Sequence, residues 1–305
     1  MSDSLRRAGQ KWGRVHAGTR PRKWDQLEMV RADTARRLSG DPSLQVIEAL
    51  DARLTEGGRT YARAISVGCG MAKPEIALVA RGVVGELDLY EISEGSVEQG
   101  RAFAERRGVA DRVRFHVGDV FEMLEAAPAY DLVYWKHALH HMPDVDAAVS
   151  FSRAILREGG WLSALEYCGP DLFQYDEGFL DAAREVYGRV PARLKANPKR
   201  PPRPDGTRPS IGRIELVDPE VLRADDPTES TDSAAIVPAI RRHFPGAEIR
   251  NLGGMLAHAI LHRIAPNFDE ESDEDRAVIA MVLEAEARMI ERGVCHFCHA
   301  LAPKG

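Results

Sequence analysis

The sequence predicts an open α/β sheet, and three observations carry that reading. The 305 residues are enough chain for a full core of one large or two small domains. From Ala62 onward, short apolar runs alternate with amphipathic stretches, the texture of parallel β-α units. Glycines and carboxylates stand just after those runs, where an open sheet binds its ligand.

The elements follow in order. Apolar residues recur at helical spacing from Asp33 to Leu54, and Asp41-Pro42 interrupts them as a helix start, an N-cap followed by Pro. Two helices are therefore expected ahead of the sheet. Strands are expected at Ala62–Val67, Glu86–Tyr90, Val113–Val117, Tyr130–Trp135 and Trp161–Glu166. Helices fill the gaps, at Lys73–Ala80, Gly95–Arg107, Val120–Ala126 and Val145–Leu156. Beyond Glu166 the texture changes to helices at Phe179–Val190 and Asp232–Phe244, separated by a Pro- and Arg-rich loop from Asn197 to Pro209. Glu248–Leu252 and Cys295–Leu301 read as two further strands. Between them, Ser272 to Arg292 forms an amphipathic helix whose apolar face, Val278, Ile279, Val282, Leu283, Met289 and Ile290, is interrupted by Glu286.

Composition excludes several classes of function. With 41 basic and 47 acidic residues the net charge is −6, so a protein-wide field that gathers nucleic acid is not expected. No long uninterrupted apolar run encodes a membrane span. Four cysteines, Cys69, Cys168, Cys295 and Cys298, are too few for a disulfide scaffold and fit a reducing compartment, the cytoplasm. The basic N-terminus (Arg6, Arg7, Lys11, Arg14, Arg20, Arg22, Lys23) has no apolar stretch behind it and reads as a solvated or lid-forming arm.

The strand ends carry the chemistry. After the first strand, Val67-Gly68-Cys69-Gly70 makes a tight turn that lets backbone approach a ligand at a helix start. Lys73 stands where a dinucleotide fingerprint needs its packing glycine, which disfavours a nicotinamide or flavin site. Glu91, twenty-one residues after Gly70, can accept two hydrogen bonds from vicinal ribose hydroxyls. Gly118-Asp119-Val120 ends the third strand, where a carboxylate can take the amine of adenine while Val120 and Ile92 face the ring. A helix cap is the plainer role for an acidic residue at such a position.

Taken together with Tyr130-Asp131-Leu132-Val133, His140-His141-Met142-Pro143-Asp144 and Leu156-Arg157-Glu158-Gly159-Gly160-Trp161, these motifs resemble the class I S-adenosylmethionine-dependent methyltransferases of the bacterial small-molecule type. The resemblance covers Ala62 to Glu166. It implies a Rossmann-like, seven-stranded, mostly parallel sheet with helices on both faces, an N-terminal helical arm and helical lid insertions. The expected division is an arm over residues 1–60, a cofactor-binding core over 61–168, a lid over 169–231, and a C-terminal part of the core with a helical insertion over 232–305. The implied cofactor is S-adenosyl-L-methionine, leaving as S-adenosyl-L-homocysteine. By the same resemblance Gly68 and Gly70, with Cys69 between them, line its methionine part, Glu91 holds its ribose, and Asp119 with Val120 holds the adenine whose ring Ile92 also faces, while Lys136 and His137 face the cofactor. Ala72 departs from the third glycine of many members. The insertion between the last strands lies over the substrate or at the interface of a homodimer.

Methyl transfer from a sulfonium chiefly needs alignment and exclusion of water, and no metal. An O–H or N–H acceptor would also need a base, for which His140, with His141 beside it, is the candidate. Trp12, Trp24, Phe173, Tyr175 and Tyr187 lie on segments that can fold over a planar substrate. His258 and His262 sit one turn apart and read as packing residues. Cys295-His296-Phe297-Cys298-His299 offers zinc-type ligands, but a strand points them to opposite faces. The expected activity is methylation of a small molecule at oxygen or nitrogen in bacterial secondary metabolism. The alternatives are a cofactor-binding protein with non-methylating chemistry, or methylation of a macromolecule prompted by the basic arm and Lys199-Arg200-Pro201-Pro202-Arg203.

Overall fold

The computed structural model describes residues 3–16 and 21–305, so Arg20 of the basic arm lies outside them. Three helices come first: α1 (Asp3–His16), α2 (Glu28–Ser39) and α3 (Val46–Leu54). The alternating core follows as β1 (Tyr61–Val67), α4 (Lys73–Ala80), β2 (Val84–Glu91), α5 (Glu94–Arg106), β3 (Val113–Val117), α6 (Val120–Met123), β4 (Tyr130–Lys136), α7 (Val145–Ile155) and β5 (Leu156–Tyr167). The remainder is α8 (Glu177–Gly188), α9 (Pro219–Asp225), α10 (Ile236–His243), β6 (Glu248–Gly253), α11 (Met255–Leu261), α12 (Asp273–Glu291) and β7 (Phe297–Pro303).

These strands form one seven-stranded sheet in the order β3-β2-β1-β4-β5-β7-β6, in which only β7 runs antiparallel to its neighbours. Strand order reverses at β1 and β4, so the crevice beyond their carboxyl ends is the topological switch point. Both faces of the sheet are covered, which is why four successive residues are buried in each central strand, Ala64 to Val67 in β1 and Leu132 to Trp135 in β4. One face packs on α7 and α10 through Val149, Ile155, Ile236 and Ile240. The other packs on α3 and α4 through Leu50, Leu54, Ile76 and Val79. A third core joins Leu27 and Val30 to α8, α11 and α12 through Phe179, Val186, Met255, Ile260, Ile279 and Val282. Residues 24–30 of the arm and the late insertions therefore share one core beside the sheet. None of the described helices is long and apolar enough to cross a membrane.

Several elements differ from the sequence reading. Asp41-Pro42 does not start a helix: Asp41 Oδ1 takes the Ser43 backbone N–H and hydroxyl in a local turn, and α3 begins later with Gln45 as N-cap. The helix expected to reach Ala126 stops at Met123, where the backbone of Leu124 turns extended. Strand β5 starts at Leu156, directly after α7, with an irregular register against β4 between Tyr130 and Leu132. Strand β7 starts at Phe297, so Cys295 precedes it.

Glu286 resolves the break in the apolar face of α12. Its carboxylate is buried and accepts from the backbone N–H groups of Gly254 (2.8 Å), Leu256 (2.9 Å) and Ala257 (3.1 Å), capping the N-terminus of α11. The charge is buried because it does the work that a local N-cap would otherwise do.

Candidate functional site

A cavity of about 1010 Å³ opens at the switch point and is lined from both ends of the chain and from the turns after β1, β2, β3 and β4. That is the upper end of single-ligand pockets, enough for two small molecules side by side. Every residue anticipated from the sequence as a site residue, Gly68, Cys69, Gly70, Glu91, Ile92, Asp119, Val120, Lys136, His137, His140 and His141, lines it.

The first turn is held open for a ligand. Gly68 and Gly70 have φ of 63° and 55°, and a Cβ on Gly68 would stand 2.8 Å from the Ala138 Cβ. Only a residue without a side chain lets the β1 and β4 turns meet here. Glu91, at the end of β2, is buried; its Oε2 accepts from Gly70 N–H at 2.7 Å and its Oε1 from Ser93 N–H at 2.9 Å. Burial raises its pKa above the ordinary glutamate value, against the pull of those N–H groups. Each oxygen keeps a lone pair for a further donor, as two ribose hydroxyls would require. Asp119 caps α6 by accepting from Phe121 N–H through Oδ1 at 3.0 Å, so the plainer cap role is real, and the same residue lines the cavity. Val120 is buried beneath it and Ile92 half-buried opposite. This glycine cradle and set of acceptors fit an adenosyl group.

Beyond that cradle the turn after β4 carries the titratable groups. His140 Nδ1 lies 2.6 Å from Glu166 Oε2, and Glu166 Oε1 accepts from Ala138 and Leu139 N–H at 2.9 Å each. Burial pushes the Glu166 carboxyl up, but the His140 charge and its hydrogen bond hold it below the ordinary value. Burial likewise pushes His140 down, yet Glu166, Glu229 and Asp226 together bring it above the usual histidine value. An ionised Glu166 only accepts, so His140 donates from Nδ1 and its Nε2 is free to take a proton. Nε2 lies 3.7 Å from Glu229 Oε1. His141 Nδ1 lies 3.1 Å from Thr228 Oγ1, and burial and the His140 charge push its pKa down.

Glu166 and Glu229 escaped the sequence reading as site residues. Glu166 stands at the end of the fifth expected strand, and nothing local marks it as the partner of His140. Glu229 comes from a loop 89 residues beyond His140, and nothing in the sequence pairs them. His140, His141 and Glu229 each bring one donor atom within 4.8 Å of the others, an arrangement that could hold a divalent ion. The cysteine and histidine run near the C-terminus is different: Cys295 Sγ is 3.9 Å from Cys168 Sγ, His296 stacks on Tyr175, and His299 Nε2 meets Ser163 Oγ at 3.0 Å. Cys295 and Cys298 thus both approach Cys168, while the two histidines turn to other neighbours, so thiols and imidazoles do not form one ligand set.

Backbone strain gathers around the same cavity. Among the described residues the non-glycine positions with positive φ are Ala72, His137, Leu172, Phe173 and Ser230. His137 and Phe173 line the cavity, and Leu172 N–H donates to the carbonyl of Ser230, which follows Glu229. Such strain persists where the surroundings over-determine it, commonly at binding sites. Trp12, Trp24 and Phe173 line the cavity as anticipated, and so do His258 and His262, which were read as packing residues. Tyr187 turns instead into the third core, with its hydroxyl on the Ile211 carbonyl.

Comparison with known proteins places this geometry. Residues 64–160 match a family model described as a methyltransferase domain. The chain is 33% identical over 101 residues to 27-O-demethylrifamycin SV methyltransferase of Amycolatopsis mediterranei, covering 33% of this chain and 37% of that protein. It is 27% identical over 115 residues to sterol 24-C-methyltransferase ERG6B of Gibberella zeae, covering 38% and 30%. The chain thus spans about a third of the length of these curated relatives. The solved geranyl diphosphate C-methyltransferase of Streptomyces coelicolor A3(2) shares the fold across 100% of this chain and 99% of its own, with a TM-score of 0.56 and 11% identity.

Proposed function

We propose, from the match of residues 64–160 to a methyltransferase-domain model, that the chain is a class I S-adenosylmethionine-dependent methyltransferase that methylates a small molecule at a hydroxyl or N–H group. Bound in the cradle, S-adenosylmethionine supplies a methyl group on a charged sulfonium that is already activated toward a nucleophile.

The chain's own residues divide the remaining work. Glu91 holds the ribose hydroxyls, Asp119 the adenine amine, and Val120 with Ile92 the faces of the ring. Gly68, Cys69 and Gly70 admit the methionine part, with Lys136 and His137 facing it. Helix α1 closes over this half: Lys11 Nζ lies 2.6 Å from Asp225 Oδ2 and 3.5 Å from Asp226 Oδ2, tying the arm to the segment that carries Glu229. That closure excludes water from the reacting atoms. His140 takes the acceptor's proton on Nε2, and Glu166 fixes its tautomer and stabilises the imidazolium that forms. Glu229 and His141 border the same space and orient the acceptor.

The observation that carries this reading is the His140–Glu166 pair opening on the cavity that Glu91 and Asp119 also line. Bacterial secondary metabolism is the setting we favour, because the Amycolatopsis relative's name gives a small-molecule acceptor of that kind. The test is incubation with S-adenosylmethionine and a panel of small hydroxyl and amine acceptors, following S-adenosylhomocysteine. Acceptor-dependent release, lost in His140→Ala, supports the reading; release that ignores both acceptor and variant contradicts it.

A further inference from the structure

The half of the cavity away from the adenosyl cradle has its own chemistry. Trp24 and Phe297 meet at 5.6 Å between ring centroids, Tyr167 and Phe297 at 5.2 Å, and Tyr167 and Phe173 at 4.7 Å. His258 stands among them, 5.7 Å from Trp24, 5.4 Å from Phe173 and 5.9 Å from Phe297. The backbone is shaped to allow this. Gly254 has φ of 80°, and a Cβ there would stand 2.7 Å from Phe297 and 3.1 Å from Trp24. Phe173 is held in the left-handed region, and the Glu286 cap sets the helix that carries His258.

We propose that the acceptor is a flat, conjugated, uncharged molecule bearing a phenol-type hydroxyl, with its rings held by Trp24, Phe173, Phe297 and His258 and its hydroxyl at His140 Nε2. This rests on the methyltransferase reading above and names its substrate class. Offset and edge-on aromatic contacts reward flat rings over saturated ones of equal size. Charge is disfavoured in both signs. Glu166, Asp226 and Glu229 surround the reacting end and repel an anion. At the far end burial pushes the His258 imidazole down to about 3, and the desolvation that keeps it neutral would equally penalise an ammonium group. Lys23 and Asp25, the charged residues beside Trp24, are exposed. The hydroxyl follows from the base: a phenol near pKa 10 is about four units from an ordinary histidine, whereas an aliphatic alcohol is far more distant. His140 Nε2 takes the phenol proton as the phenol oxygen forms its bond to the methyl carbon, and the carbon–sulfur bond breaks with its electron pair going to sulfur.

Four probes separate the terms: 2-naphthol, decahydro-2-naphthol, 2-naphthoate and 2-(aminomethyl)naphthalene, titrated by calorimetry into protein saturated with S-adenosylhomocysteine. The expected result is that 2-naphthol binds at least about tenfold tighter than the other three, and that His258→Ala and Phe173→Leu each weaken it several-fold while binding of S-adenosylhomocysteine is unchanged. The unchanged binding also shows that each variant is folded. If the protein binds S-adenosylhomocysteine but prefers decahydro-2-naphthol or a charged probe, or distinguishes none of the four, the acceptor class is wrong and the methyltransferase reading stands. If it binds no S-adenosylhomocysteine, both fail.

Discussion

His140 Nδ1 and Glu166 Oε2 stand 2.6 Å apart across the turn that links β4 to its helix and the end of β5. The two strands are neighbours in the sheet, with Lys136 in register with Leu165, so strand pairing puts Glu166 beside the turn, and the Ala138 and Leu139 N–H groups donating to Glu166 Oε1 fix the turn that carries His140. It holds one histidine nitrogen occupied and presents the other to the cavity.

The pH profile should report this contact. The active base is neutral imidazole, so turnover rises with pH through the His140 pKa, which lies above the ordinary histidine value. Glu166→Gln removes the charge that raises it, so the acidic limb moves to lower pH while the plateau rate falls. A profile of kcat/KM against pH for both proteins checks this. An unshifted limb would remove Glu166 from the base's environment.

His140→Ala should lower turnover about a hundredfold or more and leave affinity for S-adenosylhomocysteine within about twofold. Near-normal turnover would mean that the acceptor loses its proton elsewhere.

Asp119→Ala should weaken S-adenosylhomocysteine binding by about 1–3 kcal/mol if Oδ2 pairs with the adenine amine. Because Asp119 also caps α6, the melting temperature is measured alongside. That helix has four residues, so little stability is at stake. Unchanged affinity would reduce Asp119 to its capping role.

His140, His141 and Glu229 are placed so that a divalent ion could compete with the proton-transfer role. The account predicts that protein dialysed against a chelator keeps its full rate and that added Mn2+ or Zn2+ does not raise it. A rate that falls with chelation and returns with metal would transfer the role of His140 from base to ligand.

Glu286→Ala should destabilise the fold by about 2 kcal/mol or more, because three backbone N–H groups at the start of α11 lose their acceptor inside the third core. Urea denaturation measures it. Glu286→Gln, which keeps an acceptor oxygen, should lose less.

These residues show what the sequence could reveal. The β1 to β5 alternation was legible because apolar runs recur between amphipathic stretches, and the turns after β1, β2 and β3 carry glycines or a carboxylate at the ligand-facing end. Glu91 and Asp119 could be singled out by position alone. The Glu166 partner of His140 could not, since a buried glutamate near the end of an apolar strand looks like any strand terminus until pairing puts it beside β4. Glu286 looked like a flaw in an amphipathic helix because its partners lie on another helix, 29 to 32 residues earlier. The ring-lined lobe is assembled from the arm, the segment after β5, α11 and β7, and no local pattern announces that they meet.

The most direct measurement is a crystal structure of the protein with S-adenosylhomocysteine. The account predicts the ribose hydroxyls on Glu91, the adenine against Val120 and Ile92, and the sulfur opening toward His140 Nε2. Nucleoside bound elsewhere, or a sulfur walled off from His140, would contradict it.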